Sequence, residues 1–240
     1  NYAFSRDVGQ TEITTDDGIE VFQDEKYYLL KKNVEIISDE LELTGQTVKI
    51  FFEKDLYDIK ELIAIDEVNF ISNLYNIKGK GYNVEFNFKN QTIFINGKNS
   101  ELYLEDTEML SDGIINVDNL LGSFLIDGPN SKLVSENILI IGSKIDGSFE
   151  IIDGKRDIAN LVVEDKKKLN IKTDDILMFS KKAIYNKKSS IIELFEEVEI
   201  IRGSETITGD YGVFNTNSNS YKVSSKDTNK VKVIILDSND

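Results

Sequence analysis

Residues 83–89 read Asn-Val-Glu-Phe-Asn-Phe-Lys. Polar and apolar side chains alternate there without a fault, which is the period of a strand with one face inward and one face wet. The same alternation runs through Glu40-Leu41-Glu42-Leu43-Thr44 and Glu101-Leu102-Tyr103-Leu104-Glu105. It also places Val48, Ile50 and Phe52 opposite Thr47, Lys49 and Phe51, and it holds over part of Thr92–Asn96. Antiparallel sheets with one packed face produce this pattern. Between the alternating segments stand Asp17-Gly18, Asn96-Gly97, Asp112-Gly113, Asp127-Gly128, Asp146-Gly147 and Asp153-Gly154. Each pair is expected to supply the positive φ of a tight hairpin turn. Short strands about ten residues apart imply an all-β barrel, sandwich or open jelly roll. One stretch resists: Leu56, Ile59, Leu62 and Ile63 fall near helical spacing, so a short helix at Asp55–Ile65 stays open.

The composition removes most chemistry. The 240 residues contain no cysteine and no histidine. That excludes disulfides, thiolate nucleophiles, cysteine-ligated metals, Ser-His-Asp triads and histidine proton shuttles. The net charge is −15, with 28 acidic and 13 basic residues before position 151 and 15 of each after it. An acidic chain repels a phosphate backbone, so nucleic acid is excluded as a partner. The longest aliphatic runs, Ile138 to Ile141 and Val233 to Leu236, are four residues each; a spanning helix needs about twenty. The chain begins at Asn1 without an apolar leader, as expected of a processed or trimmed protein. Freedom from cysteine is compatible with an oxidising compartment.

The sequence also repeats itself. Ile19–Phe52 slides without a gap onto Ala183–Thr216 at an offset of 164, so that Val34-Glu35-Ile36-Ile37 meets Val198-Glu199-Ile200-Ile201. In the same alignment Leu43-Thr44-Gly45 meets Ile207-Thr208-Gly209. Val34–Phe52 slides onto Val68–Phe86 at an offset of 34, pairing Gly45 with Gly79. Repeats of this kind stack, each covering a face of its neighbour.

Ala183-Ile184-Tyr185-Asn186, then Ile192 through Gly203, then Thr206-Ile207-Thr208-Gly209-Asp210-Tyr211 resembles the repeat of the OstA-like, or LptA-type, family of periplasmic lipopolysaccharide-transport proteins. The likeness is good over residues 170–225 and weaker over Ile13–Phe88, while Ser131–Ile145 and Gly147–Ile151 are similar to segments of the related LptC-type module. The family's usual Gly-Asn before the valine is here Lys32-Asn33 in one copy and Glu196-Glu197 in another. The resemblance implies an open, twisted, elongated antiparallel β jelly roll, with Asp55–Ile65 as a strand. It is taken as one domain over 1–240, or as two modules divided near 1–128 and 129–240. It also implies a periplasmic, non-enzymatic lipid bridge. The implied partners are lipopolysaccharide or its lipid A, other jelly-roll transport proteins at the inner and outer membranes, and further copies of itself end to end through Ile13–Val21 and Tyr221–Leu236. It implies no cofactor.

An acyl-binding groove would be lined by the inward set: Val34, Ile36, Leu41, Leu43, Ile50, Phe52, Val84, Phe86, Ile93, Ile95, Leu102, Leu104, Val198, Ile200 and Ile207. Lys166, Lys167 and Lys168 are the candidates for meeting head-group phosphates. Paired acids such as Asp16-Asp17 and Glu196-Glu197 carry no spacing that nominates a glycosidase, and no calcium-loop motif occurs. The competing reading is a self-assembling β-solenoid scaffold without a lipid, suggested by Ile141-Gly142-Ser143-Lys144-Ile145-Asp146-Gly147-Ser148.

Overall fold

The computed structural model describes residues 8–54, 58–136, 138–226 and 229–236, and among them there is no helix. The chain divides into two compact units: Asn1–Glu105 with Ser111–Leu121, and Asp106–Leu110 with Gly122–Asp240. Unit 1 holds β1 (Glu12–Thr14), β2 (Ile19–Phe22), β3 (Tyr27–Ile37), β4 (Leu41–Phe52), β5 (Ile59–Ser72), β6 (Ile77–Asn87), β7 (Thr92–Asn96) and β8 (Ser100–Leu104). Of β9 (Thr107–Ser111), the part up to Leu110 belongs to unit 2, while β10 (Ile114–Asp118) returns to unit 1 and pairs with β7. Unit 2 continues with β11 (Ser123–Ser135), β12 (Ile138–Ile152), β13 (Lys155–Lys172), β14 (Ile176–Asn186), β15 (Ile191–Arg202), β16 (Glu205–Asn215), β17 (Ser220–Ser224) and β18 (Lys232–Ile235).

The fold is all-β and antiparallel, a jelly roll of bent strands in which each long strand pairs with the next in sequence. Ile59–Ile65 belongs to a strand, not a helix; residues 55–57 lie outside the described part. The helical spacing there arises because inward Leu62 and Ala64 flank an outward Ile63 that is half-buried.

The bends have a local cause. Lys32-Asn33, Asp66-Glu67 and Glu196-Glu197 all have φ between 48° and 68°. At each pair the ladder slips: Lys31 faces Thr47 but Val34 faces Gly45, Ile65 faces Asn83 but Val68 faces Gly81, and Phe195 faces Tyr211 but Val198 faces Gly209. Two residues thus oppose one, a β-bulge that bends its strand and increases the local twist. The offset of 164 is therefore a structural repeat, register for register. The offset of 34 holds for β3 on β5 but not for β4 on β6, because Val34 meets Gly45 while Val68 meets Gly81. The longer turn Asn73–Asn76 takes up the two-residue difference.

Left-handed backbone disfavours any L-residue with a full side chain by roughly 1–2 kcal/mol. Glycine adopts it freely but loses about 0.5–1 kcal/mol of chain entropy. Replacing Glu196 by glycine is expected to raise stability by about 0.5–1 kcal/mol. A urea titration should show a higher midpoint at an unchanged slope; an unchanged or lower midpoint would show that the bulge carries no such strain.

Not every Asp-Gly pair makes a turn. Asp153-Gly154, at φ 51° and 79°, closes the two-residue hairpin between β12 and β13, where Ile152 faces Lys155. Asp127-Gly128 sits at an irregularity inside β11, and Asp146-Gly147 lies inside β12. Gly147 is needed for packing: a Cβ there would lie 2.3 Å from the Phe124 ring and 2.8 Å from Leu161.

Candidate functional site: an apolar cavity in unit 2

The inward rows of unit 2 follow from its register. Leu133, Ile140, Ile171, Met178 and Ile200 lie side by side across β11 to β15 on one flank of the bends. On the other flank Ile145, Val163, Ala183 and Leu194 form a second row, and Leu161, Tyr185 and Ile192 a third. The bent strands bring these flanks together around a cavity of about 70 Å³. Leu133, Ile140 and Ile171 wall it from one side; Leu161, Val163, Ala183 and Ile192 wall it from the other, with Ile138 and Ile158. Ala183 is the small member of its row, and the missing side-chain volume is part of the space.

Polar groups ring this space. Ser135, Glu136, Asp157 and Tyr185 reach it. Lys187 donates to Asp157 and lies 3.4 Å from Glu150. Burial pushes the Tyr185 phenol above its usual range, with Asp157, Glu136 and Glu150 adding to the shift and Lys187 opposing it. Lys187 is itself held above its ordinary value, chiefly by its hydrogen bond to Asp157. Two carboxylates, Glu136 and Asp157, line this rim and make it acidic, with Lys187 shared between Asp157 and Glu150. An apolar space with an acidic rim suits an alkyl chain whose polar end donates hydrogen bonds or stays in water. Among the described residues, no three His, Cys, Asp or Glu side chains converge as a metal site would require.

The sequence-derived groove set lies elsewhere. In unit 1 Val34, Ile36, Leu41, Leu43, Ile50, Phe52, Val84, Phe86, Ile93, Ile95, Leu102 and Leu104 are all buried. Aromatic contacts fix two of them: Phe86 meets Phe70 edge-on at 5.0 Å and stacks on Phe88 at 5.9 Å, and Phe52 sits 5.0 Å from Tyr28. In unit 2 Val198 and Ile200 are buried and Ile207 is half-buried; none of the three walls the cavity. Nor do the lysines of 166–168 reach it. They occupy the irregularity of β13 between Glu164 and Leu169, and Lys168 is paired to Glu199 at 3.2 Å. Lys181 and Lys182 are likewise bonded to Glu197 and Glu164, at 2.6 and 3.0 Å.

No family model matches the chain. No curated protein matches it either. Among solved structures it is similar to LptH of Pseudomonas aeruginosa, described as the LptA-homologous periplasmic component of the conserved lipopolysaccharide transport device. The two share 8% identity at a TM-score of 0.25, over 95% of this chain and 96% of that one. A likeness that faint assigns no residue a role.

One further feature lies at the bulge of β15 and β16. Asp210, opposite Glu196 and Glu197, accepts from the Lys226 amide at 2.9 Å and from Asn229 at 3.1 Å. It thereby pins Lys226 and Asn229, which precede β18. Its carboxyl is held below the ordinary 3.8, first by the Lys226 amide and then by Asn229. A depressed carboxylate stabilises the fold above its unfolded value, and that contribution disappears as pH falls through the folded value. Asp210→Ala is expected to speed amide exchange at Lys226 and in β18 at neutral pH, and wild type should come to behave the same way only as pH falls below the lowered folded value of Asp210. Equal exchange in both proteins at neutral pH would show that Asp210 does not hold Lys226 and Asn229.

Proposed function

We propose that this chain is a non-enzymatic periplasmic lipid carrier that takes the end of an acyl chain into the unit 2 cavity. The single observation that carries this reading is the cavity itself, apolar on both walls and polar at its rim. The repeat at Ala183–Tyr211, with its resemblance to lipopolysaccharide-transport proteins, supports lipopolysaccharide or lipid A as the source of the chain. Each methylene that enters contributes about 0.8 kcal/mol, so affinity should rise with chain length and level off once the space is filled. The groove residues named from the sequence in unit 1 are not part of this cavity.

In this reading the head group stays largely in water. The rim is acidic and most nearby lysines are already paired, so phosphate recognition adds little. Exposed charges in water interact by only about 1 kcal/mol at 4 Å. Replacing Lys166, Lys167 and Lys168 together with glutamine should therefore weaken lipid A binding less than tenfold. A hundredfold loss would move the ligand's anchor from the acyl chain to its phosphates.

Association is part of the proposal. Val233, Ile234, Ile235 and Leu236 are 43–69% exposed although all are apolar. Ile19 and Val21 of β2 are also exposed, at 49% and 46%. Strands of this kind invite pairing with another chain, which supports docking of a second copy or of a jelly-roll partner. A scaffold that assembles through the same strands but carries nothing is the competing reading. Mass spectrometry of lipid retained by the protein from its native host, together with titration of a fluorescent acyl probe, separates the two. Absence of both retained lipid and probe binding would leave only the scaffold.

A further inference from the structure

The outer face of unit 1 carries a second concavity, of about 440 Å³, a size typical of small-ligand sites at about 300–1,000 Å³. Its layout follows from the ladder. One outward row crosses β3, β4, β5, β6 and β8 as Ile37, Glu42, Ile71, Lys78 and Tyr103. The adjacent row, two residues along each strand, is Glu35, Thr44, Asn69, Lys80 and Glu101. All ten side chains line the cleft. The first row presents hydrocarbon and ring surface from Ile37, Ile71 and Tyr103. The second presents an almost continuous rail of hydrogen-bonding groups at strand spacing, about 4.8 Å apart.

The polar groups are already ordered. Tyr103 donates its hydroxyl to Glu101 at 3.0 Å, and the other Glu101 oxygen takes Lys80 at 2.9 Å. Glu101 is the least exposed member of that pair, at 19%. The Lys78 ammonium sits 5.0 Å from the centre of the Tyr103 ring. Acids and lysines are interspersed and mostly neutralise one another, so the cleft selects strongly for neither anion nor cation. It offers donors and acceptors together with separate apolar surfaces at Ile37, Ile71 and Tyr103, without a closed apolar pocket. That combination complements a pyranose, which has a C–H face and a rim of hydroxyls that both donate and accept. Fixed partners also lower the ordering cost of binding.

We propose that this cleft binds a neutral oligosaccharide, with Tyr103 and Ile71 under the sugar faces and Glu101, Lys80, Asn69 and Thr44 on the hydroxyls. The proposal is independent of lipid carriage in unit 2. The test is isothermal titration of the full chain with maltotriose, cellotriose and chitotriose, and with dodecyl maltoside below its micellar concentration. At least one trisaccharide should bind with a dissociation constant on the order of 1 mM or tighter. Tyr103→Ala and Asn69→Ala should each weaken that binding tenfold or more, and Glu101→Gln should do so without removing bulk. Ala183→Leu, in the other unit, should leave it unchanged. Three results would overturn the proposal: no trisaccharide binds, binding ignores all three cleft variants, or only dodecyl maltoside binds and Ala183→Leu abolishes it. The last of these would leave acyl binding in unit 2 standing, so the two readings fail separately.

Discussion

Ala183→Leu should weaken binding of a saturated acyl probe at least tenfold and make the protein more stable at the same time. Ala183 is 1% exposed and walls the cavity between Val163 and Leu194. The added carbons point into space that is already apolar. Empty volume in a core costs about 24 cal/mol per Å³, so a cavity of about 70 Å³ leaves up to roughly 1.7 kcal/mol to be recovered by filling it. Stability and binding therefore move in opposite directions, which no general unfolding defect reproduces. Urea midpoints report the first and fluorescence titration the second. Leu161→Ala provides the converse: it enlarges the space, should cost about 2–5 kcal/mol, and should favour a longer or branched chain. If Ala183→Leu stabilises the protein but binds the probe as wild type does, the acyl chain resides elsewhere.

Phe86→Ala should have the largest effect on stability, a loss of about 3–5 kcal/mol. Phe86 is fully buried and packed edge-on against Phe70. Against a typical total of about 5–15 kcal/mol, that brings the protein near its unfolding threshold. In the fraction that stays folded, acyl binding should be unchanged, because the ring belongs to unit 1. Loss of binding by a protein that remains folded would place the acyl chain among the unit 1 side chains and overturn the assignment to unit 2.

The strands were readable because period two is a property of neighbouring residues. Asn83–Asn87 alternates in sequence and lies within β6, with Val84 and Phe86 inward as the pattern requires. The repeat at an offset of 164 was readable for the same reason, since its register is carried by ungapped words. The bulges left only a trace. Lys32-Asn33 and Glu196-Glu197 stand out as departures from Gly-Asn, and the left-handed backbone at those positions is what Gly-Asn serves. The cavity was not readable. A groove wall and a packed core consist of the same inward aliphatics, and which of them leaves room depends on volumes summed across strands far apart in sequence. Phe86 and Phe70, 16 positions apart, close one interior; Ala183, between Val163 and Leu194 in its row, helps leave the other open. The acidic rim was equally hidden, because Glu136, Glu150, Asp157 and Lys187 meet only after β11 to β14 have paired.

The pairing of each long strand with its sequence neighbour also governs how unit 2 responds to tension. Antiparallel ladder bonds run perpendicular to their strands. A force applied at the far end of β18, which pairs with β16 from Ile235 opposite Glu205 to Lys232 opposite Thr208, reaches these bonds in succession rather than together. The strand peels as a zipper opens, at low force, and the next strand is loaded only after the first has come away. Such a chain yields gradually and re-forms by the reverse route, strand on strand.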